Sequence, residues 1–183
     1  MTIGTDLPVE PPILETRRLI LRQHRREDFE ALHALWCHPS VYCHISGQPS
    51  TRERSWGRLL QYIGMWPVLG YGFWALEEKH SGRYIGDLGF ADFNREIEPP
   101  FGASPETGWV LAPDSHGRGY GSEAVARMLA WGDGFFTARS ARCIISPDNP
   151  ASLRIAVKHG FRKIAETTYT GETVWLHERP FRR

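Results

Sequence analysis

His116-Gly117-Arg118-Gly119-Tyr120-Gly121-Ser122-Glu123-Ala124 decides how the rest of this chain is read. It follows a strand-like run, Glu106 to Leu111. It opens a strongly helical one in which Val125, Met128, Leu129, Gly132 and Phe135 or Phe136 fall on one face. The first N–H groups of a helix have no carbonyl partner and lie at the positive end of the helix dipole, so an anion close by satisfies both. One glycine would make the turn; the alternation Gly117, Gly119, Gly121 points instead to close approach by a ligand. The run predicts an anion held by backbone amides.

Two common phosphate loops do not fit. There is no Gly-Lys-Ser/Thr ending for a nucleoside triphosphate, and Gly117-x-Gly119-x-Gly121 lacks the last spacing of a dinucleotide fingerprint, which argues against a nucleotide-dependent oxidoreductase.

Outward from the loop, 183 residues with 41% hydrophobic and 12% aromatic content suit one globular domain with a real core. The expected division is a flexible lead-in over 1–12, rich in proline, and a single domain over 13–183. The charge balance of 22 Lys and Arg against 21 Asp and Glu removes the general attraction on which nucleic-acid binding relies, so no nucleic-acid partner is expected. Arg17, Arg18, Arg22, Arg25 and Arg26 surround an alternating Leu19 and Leu21, the pattern of a solvated strand edge. Sparse cysteines (Cys37, Cys43, Cys143), no long apolar run and no basic-then-apolar start predict a cytoplasmic chain with reduced thiols and no membrane partner.

Periodicity and capping residues lay out the remaining elements. Asp28 is a plausible cap for a helix carrying Phe29, Leu32, Leu35 and Trp36, ended by Pro39. Ser50 and Glu53 form a capping box for a second helix reaching Trp66-Pro67. Tyr71 to Glu77 and Tyr84 to Phe93 make a hairpin about Lys79-His80-Ser81-Gly82, and Asn94 to Pro105 reads as a loop. Arg142 to Ser146 is a strand, Asn149 to His159 a helix closed by Gly160, and Phe161 to Thr168 and Thr173 to Leu176 are two last strands. Strand-helix-strand crossovers mixed with hairpins predict an α/β (α+β mixed) fold.

His116 to Gly121 resembles the pyrophosphate loop of the GNAT acetyltransferases, Gln/Arg-x-x-Gly-x-Gly/Ala. Gly119 and Gly121 are in place, and His116 stands where Gln or Arg is usual. Thr16 to Arg22 resembles the family's opening strand and Glu106-Thr107-Gly108-Trp109-Val110-Leu111 its central one. Asn149-Pro150-Ala151-Ser152 with Gly160-Phe161 resembles its later helix. Together, over residues 13 to 180, these resemble the branch that includes the ribosomal-protein N-terminal acetyltransferases. The resemblance implies a central mixed, mostly antiparallel sheet of about six to seven strands flanked by about four helices.

It also implies acetyl-CoA as cosubstrate, no metal, and a primary amine as acceptor. That amine is a protein N-terminal α-amine or a small molecule such as a polyamine, amino acid or amino sugar, attacking directly in a ternary complex. The protein would act as a monomer or homodimer. His116, Gly117, Arg118, Gly119, Gly121 and Ser122 would cradle the pyrophosphate, with the Arg118 side chain toward the 3′-phosphate. In the central strand, Trp109, Val110 and Leu111 would flank the thioester, a bulge near Trp109 or Val110 aiming an N–H at its carbonyl. Asn149 would contact the pantetheine arm and Ser152 the departing thiolate.

A lysine-like amine with pKa near 10.4 is about a thousandfold short of neutral at pH 7, so a base or water relay is useful, and Glu106 is the leading candidate. Each residue also has a plainer reading. Asn149 and Pro150 suit a helix start, Glu106 a salt-bridged strand end, and Cys143 a buried core thiol. Trp66, Tyr71, Phe73, Trp74 and Trp109 suit core as well as pocket. Cys37-His38 and Cys43-His44 are too close together to close a zinc tetrahedron. From another functional class, the alternative is a non-catalytic acyl-CoA-binding or sensor module.

Overall fold

Leu19 and Leu21 are fully buried, as the alternation in β2 (Leu19–Arg22) requires, and β2 lies in a broad sheet. The computed structural model describes residues 10–182. Residues 1–9 of the expected lead-in lie outside the described residues, and the Pro12 carbonyl accepts the Trp74 indole N–H at 2.9 Å. The other strands are β1 (Leu14–Glu15), β3 (Phe73–Glu78), β4 (Tyr84–Ala91), β5 (Glu106–Leu111), β6 (Ser140–Ile145), β7 (Arg162–Tyr169) and β8 (Glu172–Pro180). The helices are α1 (Phe29–Trp36), α2 (Pro39–Tyr42), α3 (Arg52–Leu69), α4 (Tyr120–Phe135) and α5 (Pro150–Lys158).

Among the described residues the sheet has 8 strands in the order β1-β2-β3-β4-β5-β6-β8-β7, with only β5 and β6 parallel. The expected mixed, mostly antiparallel architecture is present with one more strand and one more helix. The added strand is β1, two residues long, which the alternating strand pattern is too short to reveal. The added helix is α2: Pro39 ends no helix but opens this short one, at whose start the His38 ring accepts from the Ser40 N–H.

Three local expectations change for identifiable reasons. The Asp28 carboxylate does not cap α1; it accepts two bonds from Arg22 at 2.8 Å, and the Arg25 N–H it accepts at 2.7 Å closes the capping box of the single helical turn Arg26–Asp28 that precedes α1. Arg22 is therefore buried between Asp28 and Glu77 rather than on a solvated edge, because a charge leaves water only with partners. Thr51, not Ser50, caps α3, since the Ser50 hydroxyl is engaged by Ser55. The same helix runs through Pro67 to Leu69 and stops at left-handed Gly70 (φ 78°). Tertiary packing of fully buried Trp66, whose indole N–H reaches the Phe73 carbonyl, carries it over the proline.

Neighbouring Phe73 and Trp74 enter different hydrophobic clusters, as a strand's two faces demand. Trp74 joins Leu19, Leu88, Phe90 and Met128 against α4; Phe73 joins Leu32, Leu59 and Tyr62 against α1 and α3. The β3–β4 approach is so close that a Cβ on Gly89 would lie 2.4 Å from the Phe73 Cα and the Gly72 carbonyl oxygen.

β4 and β5 pair without a break from Gly86↔Leu111 to Ala91↔Glu106, so the anticipated bulge is not there. The irregularity lies on the other edge of β5, which meets β6 only at Glu106↔Arg142. Beyond that point the two strands part. Ala112 donates its N–H to the Ile85 carbonyl at 2.8 Å. Counting back by alternation turns the main chain of Val110 and Gly108 to β4, and that of Trp109 into the opening.

The end of β3 clasps the start of α4. Glu78 accepts from the Tyr120 hydroxyl and from Ser81 Oγ (2.6 Å) and pairs with Arg118 at 3.0 Å. The Tyr120 ring lies under both Arg18 (4.4 Å) and Arg118 (4.6 Å). Arg18 in turn bonds Glu123 and the Arg118 carbonyl.

Two outcomes follow for stability. Gly89→Ala forces a methyl into backbone that has no room to move, and should cost about 2–3 kcal/mol in chemical denaturation. The Ser81 and Tyr120 hydroxyls pull the Glu78 carboxyl down from 4.5 to about 2. A depressed carboxyl stabilises the fold fully above its ordinary pKa and loses that effect as pH falls, so the window is pH 4.5 to about 2. Glu78→Gln should make the decline of the melting temperature across that window shallower.

Candidate active site

Gly117 (φ 72°) and Gly119 (φ 79°) are both left-handed, and Gly119 is the N-cap of α4 with no side-chain hydrogen bond to the helix. The α4 N-terminal amides are thus not capped by their own N-cap, and a Cβ on Gly117 would meet nothing within 4 Å. Gly121 is tightly packed for a different reason: its Cβ would sit 3.0 Å from Ile155 Cδ1 on α5, which would have to shift by a few tenths of an ångström. Backbone conformation and helix packing, rather than ligand approach alone, account for the glycine alternation.

His116 turns back to its own strand, where Nε2 bonds the Leu111 carbonyl at 2.8 Å. Arg118 is half exposed against Glu78 and Tyr120. Ser122 Oγ shares a 3.0 Å hydrogen bond with His159 Nε2, tying α4 to the end of α5. Burial, then the neighbouring Lys158 charge, lowers the His159 pKa and keeps the ring neutral.

Where β5 and β6 part, a cleft of about 690 Å³ opens. Of the residues read from sequence, it brings together Glu106, Trp109, Val110, Asn149 and Ser152. Leu111 points into the core instead, and the residues from His116 to Ser122 form the adjoining start of α4. Asn149 Oδ1 accepts the Ser152 N–H at 3.0 Å, so the plainer reading of Asn149 as a helix cap holds and the cap positions Ser152. The Trp109 indole N–H is buried with no hydrogen-bond partner among the described residues. Phe73 lines the cleft, whereas Trp66 and Trp74 are core. Cys143 is buried beside the cleft, and burial pushes its thiol pKa up, against any role as a thiolate.

Glu106 is buried at the closed end of the cleft and clamped by Arg95, Nε to Oε2 at 2.5 Å and Nη2 to Oε1 at 2.8 Å. Arg95 also donates to the Tyr169 hydroxyl at 2.7 Å. Burial raises the Glu106 pKa and the Arg95 guanidinium opposes it, with the upward push prevailing. Two donors leave a carboxylate with unused lone pairs, so the pair can still accept a proton or a water. Neither Arg95 nor Tyr169 stood out in the sequence. Arg95 sits in a proline-rich loop and Tyr169 on the far strand of the sheet, and no periodicity links either to Glu106.

The sequence profile of the acetyltransferase (GNAT) domain matches residues 18–162. An uncharacterised N-acetyltransferase of Bacillus subtilis (strain 168), YoaA, is 27% identical over 154 residues, 83% of this chain and 84% of that protein. A GnaT-family acetyltransferase structure from Bordetella pertussis is 30% identical, covers 92% of this chain and 99% of its own, and has a TM-score of 0.81. The ribosomal L7/L12 alpha-N-protein acetyltransferase RimL, solved with coenzyme A, shares the fold at a TM-score of 0.74 and 19% identity, over 93% of this chain and 98% of its own. With the profile matching well over half its length, the chain belongs to the GNAT acetyltransferases.

Proposed function

We propose that this acyltransferase moves the acetyl group of acetyl-CoA to a primary amine by direct attack, both substrates being bound at once. The observation that carries the reading is the parting of β5 from β6, which turns the Trp109 main chain into a cleft lined by buried Glu106 and by Ser152. The residues fit coenzyme A. The α4 amides, led by left-handed Gly119, suit a pyrophosphate, and the unpartnered Trp109 indole N–H suits an acceptor atom in the cleft. The coenzyme A bound by RimL supports the same reading.

In this arrangement His116, Gly117, Arg118, Gly119, Gly121 and Ser122 shape the phosphate cradle, and Asn149 with Val110 borders the pantetheine arm. Glu106 takes a proton from the bound ammonium, directly or through a water, so that the neutral amine attacks the thioester carbonyl. The Trp109 N–H supports the negative charge gathering on the acetyl oxygen; collapse breaks the C–S bond, and the second amine proton goes to the departing thiolate to give the CoA thiol. Ser152 donates a hydrogen bond to the sulfur as it leaves. A thiolate is a good leaving group, so this last contribution is small.

The deciding experiment is release of CoA thiol from acetyl-CoA over a broad amine panel; binding of acetyl-CoA with no turnover would make the chain a sensor module instead. Glu106→Gln should lower kcat/KM about 100-fold and Ser152→Ala about tenfold or less. The pH profile separates base from bystander. Arg95 opposes the upward push of burial on Glu106, so Arg95→Ala should move the acid limb of kcat/KM to higher pH; an unmoved limb would mean that Glu106 is not the titrating base.

A further inference from the structure

Two arginines line the cleft, and they are treated differently. Arg95 is neutralised by Glu106. Arg58, on α3, has no ion pair among the described residues, and its Nη1 is buried without a hydrogen-bond partner. The Tyr62 hydroxyl lies close enough to interact with the Arg58 side chain, yet Nη1 bonds no group among the described residues, and a buried donor left so is costly unless something else supplies an acceptor.

The side chain is held ready for that acceptor. Its guanidinium stacks 3.6 Å from the centroid of the Trp36 ring, which leaves the in-plane N–H edge as the donating surface. Trp36 is itself fixed, its indole N–H donating at 3.2 Å to Asp87 Oδ2. Asp87 is fully buried and held by His24 at 2.7 Å and by the Tyr84 hydroxyl at 2.6 Å. Between Arg58 and the Glu106 end runs an aromatic wall. Tyr62 stacks on Phe73 with centroids 4.5 Å apart, Phe73 meets Phe93 at 6.2 Å, and Arg95 lies over Phe93 at 4.7 Å.

The geometry points to an acceptor that carries a carboxylate: a free amino acid with an apolar body, its amine at Glu106, its body along Tyr62, Phe73 and Phe93, and its carboxylate on the in-plane edge of Arg58. This rests on the acetyltransferase reading of the same cleft. A planar guanidinium matches a carboxylate with two parallel hydrogen bonds. A polyamine would instead bring further positive charge to an unpaired arginine, and a simple amino sugar would bring neutral hydroxyls with no charge to match it.

The test compares apolar amino acids with their amides and decarboxylated amines, and with spermidine and a short peptide, using thiol release from acetyl-CoA. A second readout is the thermal shift that each compound adds to the protein already saturated with CoA. The expected result is a preference for acid over amide of about 10- to 100-fold in kcat/KM. In Arg58→Gln that preference should shrink to within about threefold, while the CoA-induced shift shows the variant to be folded. Should that variant lose the CoA shift, Arg58→Lys, which keeps the charge without the planar fork, carries the same comparison.

A wild-type preference for spermidine, the amides or the peptide would overturn the inference, as would an acid-to-amide ratio that Arg58→Gln leaves intact. Absence of turnover with every amine would instead overturn the acetyltransferase reading. The thermal shift would then decide the carboxylate site alone: stabilisation by acids but not amides, lost in Arg58→Gln, supports it, and no acid-specific stabilisation refutes it.

Discussion

The separation of β5 from β6 is the constraint on which the rest of the molecule depends. Strands joined along their length satisfy each other's main chain; these two are joined at Glu106↔Arg142 and then diverge. The edge of β5 that faces the gap is left for something other than protein. The surroundings hold it open. β4 supports β5 in unbroken register on one side, and β8 pairs with β6 in unbroken register on the other. An opening between two supported strands does not collapse as a loop would.

Charge pairing at the periphery serves the same end. Arg22 with Asp28 and Glu77 fixes the entry to α1, and Glu78 with Tyr120 and Arg118 fixes the start of α4. Most of these groups are shielded from water, so their geometry is set by partners rather than by solvent. The left-handed glycines of the α4 turn are thereby ordered before any ligand arrives, which lowers the entropy lost on binding.

Elements whose signal is local were legible in the sequence. Leu19 and Leu21 alternate, the apolar stripe of α4 has helical spacing, and Asn149-Pro150 opens α5 as caps do. The mixed, mostly antiparallel sheet followed from the order of such elements. Cross-chain contacts were not legible. Arg95 reaches Glu106 from a loop without periodicity, Tyr169 comes from the outermost strand, and the platform beneath Arg58 is assembled from α1, β4 and the segment before α1. Local reading also misplaced groups whose tertiary partner outweighed their local preference. Asp28 takes a buried arginine and caps the short turn before α1 rather than α1 itself, and Pro67 stays helical because Trp66 is locked into the core. The bulge expected in β5 failed in another way: the opening arises from loss of a neighbour rather than from an extra residue.

The contacts between α4 and α5 have a metrical consequence. Ser122 bonds His159, and Gly121 leaves room for Ile155, so the start of α4 is fixed against the later half and the end of α5. A ligand spanning from the α4 amides to Ser152 meets a gauge of fixed length. Variation in a ligand so held would then fall past Ser152, in the cleft, where the chain length of the transferred end would be measured.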